Sequence, residues 1–160
     1  MTEPKLTKLT ASRKSHRGYT VLELIGAVAI IACMTAIGLP MYTGSIDKAR
    51  NSEAAAEIMR IDAALERTRA NGTLPANLGE LNMGALNDPW GNPYQYLNIE
   101  AGVDKSLVRK DRNLSPLNTD YDLYSLGKDG ESKTPLTVAV SRDDIVRAGN
   151  GGFVGLAEDF

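Results

Sequence analysis

Between Leu24 and Ile46 the chain has no charged residue, whereas the rest of its 160 residues is markedly polar. That run exceeds the ~20 apolar residues that a helix needs to cross a bilayer. Inside lipid a single segment satisfies its own backbone only as a helix, so the first half of the fold is helical. The apolar signal continues past Tyr42 in a different form. Ala54, Ile58, Ile61 and Leu65 recur at three- and four-residue spacing, with Arg60, Asp62, Glu66, Arg67 and Arg69 mostly on other faces. This is the pattern of an amphipathic helix that ends near Asn71-Gly72. One element from Thr20 to Ala70 would be ~75 Å long at 1.5 Å per residue. Gly38-Leu39-Pro40 and Gly44 interrupt it, and Pro40 removes a backbone donor, so a kink or local melting is expected there. Two readings stand for this stretch: a harmless curve in a membrane helix, or a segment that unwinds when the subunit leaves lipid for an assembly.

Charge divides the chain just ahead of the apolar run. Residues 1–18 hold Lys5, Lys8, Arg13, Lys14 and Arg17 against Glu3 alone, which leaves the remainder at −6 of the formal net charge of −2. So acidic a remainder argues against a duplex nucleic-acid binder. The basic head places the N-terminus on the cytoplasmic side and residues 47 onward outside. A secretory signal would carry its cleavage site after the apolar core. Here the basic head ends at Gly18, directly before it. Cleavage after Gly18 would remove the charges and leave the span on the product; the alternative is an uncleaved single-pass anchor with a basic tail. Glu23 stands at the start of the span, where an ionisable group needs a partner. His16, the only histidine, lies in the head, and Cys33, the only cysteine, lies in the apolar run as a small filler. A chain shortened at Gly18 has no histidine for Ser–His, Cys–His or His-ligated metal chemistry, so no enzyme is expected.

Past Gly72 the signals are turns and short strands. Leu74-Pro75 and Asn77-Leu78-Gly79 read as loop, with a helical turn around Glu80–Met83. Tyr94–Leu97, Val103–Val108 and Asp122–Leu126 read as strands. Trp90 is expected to cover the helix stripe. The expected fold class is α+β: a long N-terminal helix packed on an antiparallel sheet of about three strands. Its divisions are a leader at 1–18, a membrane or filament-core half at 19–46, an amphipathic half at 47–71 and a globular region at 72–160. Gly149-Asn150-Gly151-Gly152 follows no strong strand and lacks a lysine, so it reads as a turn rather than a phosphate loop. Lys105, Arg109, Lys110 and Arg112, diluted by Asp104 and Asp111, read as a solvated face rather than a DNA-binding one.

Gly18-Tyr19-Thr20-Val21-Leu22-Glu23 before an apolar span resembles the type III signal of type IV pilins and type II secretion pseudopilins. The resemblance implies a prepilin peptidase that cuts after Gly18 and methylates the new amine of Tyr19. Tyr19 departs from the usual phenylalanine but keeps the ring. It also implies that Glu23 pairs with the amine of a neighbouring subunit and so sets the register of assembly. The alternative is a glutamate that snorkels to the interface. Asp88-Pro89-Trp90-Gly91-Asn92-Pro93-Tyr94 resembles the major, G-type pseudopilin within that family, and the lack of a C-terminal cysteine pair agrees.

That resemblance implies a structural subunit that polymerises with copies of itself into a periplasmic filament driving export of folded proteins. Its other partners would be the membrane before assembly, an inner-membrane assembly platform and minor pseudopilins, with no nucleic acid. The runner-up is a type IV pilus subunit for adhesion, motility or DNA uptake. It further implies a calcium site, with Asp129, Asp143, Asp144 and the Leu126 carbonyl as ligands. Such a cation would order a C-terminal region poor in core residues. The loop between these acids is longer than the family pattern. The alternative is that Asp143 or Asp144 caps a short helix through Ile145-Val146-Arg147 while Asp129-Gly130 is a plain turn.

Overall fold

The computed structural model describes residues 18–112 and 114–160. Leader residues 1–17, His16 among them, lie outside the described residues. Helix α1 runs from Val21 to Ala70, with Pro40 inside it and the helical assignment continuous through Gly38–Gly44. The chain divides into two compact units, one ending at Tyr42 and the other comprising Thr43–Phe160.

In the first unit every residue from Gly18 to Tyr42 is exposed, including Val21, Leu22, Leu24, Ile25 and Ile31. A soluble monomer seldom presents so long an apolar surface. The helix is long and apolar enough to cross a membrane.

The second unit has the predicted stripe at its centre. Ala54, Ile58, Ile61 and Leu65 have no exposed surface, and they pack with Leu74, Leu78, Tyr94, Tyr121, Leu123 and Ile145. The three- and four-residue spacing puts those four side chains on one face of α1, which is why the pattern was readable. The helix ends where Asn71 and Gly72 donate back to the Thr68 and Arg69 carbonyls, with Arg67 and Arg69 complementing the dipole of the last turn. A single 3₁₀ turn follows at Leu78–Leu81.

Four strands form an antiparallel meander: β1 (Gln95–Asn98), β2 (Tyr121–Ser125), β3 (Ile145–Ala148) and β4 (Phe153–Leu156), in spatial order β1-β2-β3-β4. Gln95 stands opposite Tyr124, Ser125 opposite Ile145, and Ile145 opposite Leu156. Alternation along the strands separates two faces. Tyr121, Leu123 and Ile145 meet the helix stripe. Val146 and Ala148 join Leu117, Leu136 and Ala157 in a second core on the opposite face.

Three sequence expectations need correction. Val103–Val108 is a run of turns, because it finds no strand partner. Ile145–Ala148 is a strand rather than the start of a short helix, since both its faces are buried. Phe153–Leu156 is a fourth strand, closed onto β3 by the turn at 149–152, in which Asn150 has φ 56° and Gly149 and Gly151 are also left-handed. Trp90 packs on the helix-side core as expected.

Candidate functional site

The N-terminus of α1 is built by a reciprocal capping arrangement. Thr20 precedes the first helical residue, and Glu23 lies three residues on, which is the spacing of a capping box. The Thr20 amide donates to Glu23 Oε2 at 2.9 Å and the Thr20 hydroxyl donates to the same oxygen at 3.0 Å. In return the Glu23 amide donates to Thr20 Oγ1 at 3.2 Å. The carboxylate also favours the positive end of the helix dipole. Glu23 therefore has a partner within its own chain, a role that sequence reasoning missed although Thr20-x-x-Glu23 carried the signal. Gly18 and Tyr19 lie just before the helix, outside regular structure and exposed, and Tyr19 is 92% exposed. An exposed, non-helical segment is the form a processing enzyme can grip.

The motif Asp88–Tyr94 is a folding device. Asp88 is buried, and its Oδ1 accepts from the Trp90 and Asn92 amides at 3.1 and 2.8 Å, closing the turn. Its Oδ2 accepts from the Ser125 hydroxyl at 2.5 Å, and the Asn92 side chain donates to the Gly127 carbonyl at 3.2 Å. The motif thus clamps the end of β2 and the start of the acidic loop.

Within that loop Asp129 and Asp143 meet, but Asp144 turns away. Asp143 Oδ2 accepts from the Lys128 and Asp129 amides at 2.9 and 3.0 Å, and Asp129 Oδ1 accepts from the Glu131 amide at 2.8 Å. Leu126 follows β2, half-buried. Gly127 is left-handed at φ 65°, and a β-carbon there would lie 2.3 Å from the Asp143 carbonyl oxygen, so only glycine allows this approach. Asp144 is fully buried on the opposite side, where Oδ2 accepts from Arg109 Nη2 at 2.5 Å and from the Ser132 hydroxyl at 2.5 Å. Burial pushes its carboxyl up to about 6, against the pull of Ser132 and Arg109. Among the described residues no three His, Cys, Asp or Glu side chains gather as a metal would require. Asp144, bonded to Arg109 and Ser132, therefore does not converge on one point with Asp129 and Asp143, as the carboxylate ligands of a calcium ion would.

Arg109 corrects a further expectation. It belonged to a supposed solvated face, yet it is 3% exposed and its guanidinium lies 4.0 Å from the centre of the Tyr124 ring. Arg147 was likewise unassigned. It is buried on the helix side of the sheet, donates bidentately to Asp120 at 2.9 and 2.8 Å, and also bonds Asp62 on α1. Burial works against the Asp120 carboxylate, but Arg147 and the Tyr121 amide outweigh it and hold the carboxyl below its ordinary range. Single ionisable residues of this kind carry no period, so a sequence offers no signal for their burial.

No family model and no solved structure matches the chain. Individual relatives do. The type II secretion system core protein G of Pseudomonas aeruginosa is 29% identical over 141 residues, covering 74% of this chain and 88% of the relative. That of Escherichia coli is 27% identical over 157 residues, covering 84% and 92%, and that of Vibrio cholerae is 25% identical over 139 residues, covering 74% and 84%. These relatives join the signal at Gly18–Glu23, the turn at Asp88–Tyr94 and a long helix packed on an antiparallel sheet in one likeness: the chain is similar to the core protein G, the major pseudopilin, of type II secretion.

Proposed function

We propose that this chain is the structural subunit of a type II secretion pseudopilus, polymerising through its N-terminal helix to drive export of folded proteins across the outer membrane. The observation that carries the reading is the apolar helix surface from Val21 to Tyr42, exposed throughout and headed by one carboxylate, Glu23. Such a surface has two environments open to it, lipid before assembly and neighbouring copies of the same helix afterwards. Prepilin peptidase cleaves after Gly18 and methylates the amine of Tyr19. That amine then reaches the Glu23 carboxylate of the adjacent subunit, displacing the Thr20 bonds and fixing how far each subunit rises past the last. Pro40, which supplies no amide to the helical ladder, is the place where α1 yields as the subunit leaves lipid.

The subunit sits in the bacterial inner membrane with the region past residue 47 in the periplasm, and then in a periplasmic filament. Its partners are further copies of itself, minor pseudopilins and an inner-membrane assembly platform. Its role is structural rather than catalytic.

The test is the culture-supernatant proteome of a strain lacking the gene. Loss of a defined set of exoproteins, restored by the wild-type gene but not by Glu23→Ala, is the expected result. An unchanged supernatant, with filaments shorn from the cell surface, would overturn it in favour of a type IV pilus subunit.

A further inference from the structure

The loop between β2 and β3 carries Asp129, Asp143 and Asp144, yet the side chain it buries most deeply faces an arginine. Asp144 has no exposed surface, and a carboxylate there must be neutralised or protonated. Arg109 meets it from a segment remote in sequence, and the guanidinium joins three parts of the fold. Nη2 donates to Asp144 Oδ2 at 2.5 Å, Nη1 donates to Ser132 Oγ at 2.6 Å, and the plane covers Tyr124 of β2. The Ser132 hydroxyl in turn donates a hydrogen bond to Asp144 Oδ2, which closes a ring of three side chains.

The backbone around Arg109 is equally committed. Its amide donates to Asp122 Oδ2 at 2.7 Å, and Lys110 exchanges bonds with the Thr134 carbonyl and the Leu136 amide at 3.1 and 2.9 Å. The guanidinium is thus delivered to Asp144 by a segment that is itself pinned to the loop.

The unsatisfied atoms point the same way. Besides Trp90 Nε1, the buried side-chain atoms without a hydrogen-bond partner among the described residues are Arg109 Nε and Asp144 Oδ1. They belong to the two ends of one ion pair. The structure joins the pair through Nη2 and Oδ2, and the Nε/Nη2 edge of a guanidinium has the shape to meet both oxygens of a carboxylate. A divalent ion placed on Asp144 would meet the fixed positive charge of Arg109 in a site of low dielectric. Asp143, the neighbouring acid, already accepts at Oδ2 from the Lys128 and Asp129 amides.

We propose that Arg109 is the resident cation of this loop: it neutralises Asp144, holds Ser132 to it, and orders residues 126–144 without a divalent ion. The inference stands on the pair itself and is independent of the filament in which the subunit serves.

The test uses the full-length processed protein in detergent micelles, melted by near-ultraviolet circular dichroism in calcium chloride and in excess chelator. Wild type should melt at the same temperature in both, within about 1 °C, because no ordering contribution is linked to free calcium. Arg109→Gln should melt about 10 °C lower in either buffer, since it strands a buried carboxylate. Arg109→Met combined with Asp144→Leu replaces the pair by apolar groups, and it should fold and melt near wild type in chelator even where the single variant fails to fold. A wild-type transition that drops by 5 °C or more in chelator, on the order expected for loss of a bound ion, would overturn the proposal. So would Arg109→Gln melting with wild type in chelator, or a double variant that folds only with calcium.

Discussion

Replacing Arg147 by alanine tests how the sheet is held to the helix. The guanidinium is 1% exposed, and it bridges Asp120 beside β2, itself 2% exposed, to Asp62 of α1 while covering the Tyr121 ring at 4.0 Å. Removing it leaves the buried Asp120 carboxylate without its hydrogen-bonded counter-charge, with only Arg69 Nη1 left at 3.8 Å, a loss of about 3–5 kcal/mol. The lost ring contact adds about 1 kcal/mol. Asp62 is 24% exposed and rehydrates, so it adds little. The total of about 5 kcal/mol corresponds to a fall of about 15 °C in the melting temperature of a unit this size.

The readout is near-ultraviolet circular dichroism of full-length protein in micelles, because the apolar half of α1 keeps its far-ultraviolet helical signal in detergent. Adding Asp120→Asn to the variant should recover about half of the loss, since an amide does not strand a charge. The pH dependence has a definite sign. Asp120 is held below its ordinary pKa in the fold, so its contribution is full above about pH 4 and lost as pH falls through the depressed value. The gap between wild type and Arg147→Ala should therefore narrow in acid. A variant within about 1 kcal/mol of wild type at neutral pH, or no recovery from Asp120→Asn, would refute the reasoning.

Other perturbations probe the remaining parts of the globular unit. Ile61→Ala empties the centre of the helix stripe and should cost about 2–5 kcal/mol in chemical denaturation, whereas Met59→Ala on the exposed face should cost under about 0.5 kcal/mol. Gly127→Ala sets a β-carbon against the Asp143 carbonyl at a left-handed position, and a loss of about 3 kcal/mol or more is expected by the same assay. Asp144 faces Arg109, Ser132 and Asp143, and its carboxyl is raised to about 6. Its contribution is present below about pH 4 and lost as pH rises through 6, so the stability of wild type relative to Asp144→Asn should decline across that window.

The parts of this protein that repeat with a period, or that follow a local grammar, were legible in its sequence. The charge-free run and the stripe at Ala54, Ile58, Ile61 and Leu65 defined α1 to within a residue at each end, because a helix writes its buried face at fixed spacing. Gly18–Glu23 and Asp88–Tyr94 pointed to the core protein G relatives, since each motif is short and contiguous. The β3–β4 hairpin was only partly visible. Its strands are four residues long, β3 buried on both faces and β4 half-buried throughout, a length at which period two cannot be told from chance.

Tertiary structure alone decided where the charges went. Lys105, Arg109, Lys110 and Arg112 look alike along the chain, yet Arg109 is the one carried inward, because the segment that holds it pairs with residues 134–136. Asp143 and Asp144 are neighbours that part company: one caps a turn through backbone amides, and the other crosses to Arg109. Arg147 finds Asp62 across 85 residues of chain. Adjacent residues on a strand face opposite sides of a sheet, so the partner of each charge is set by which layer lies above it, and the layers exist only once the sheet has docked on the helix.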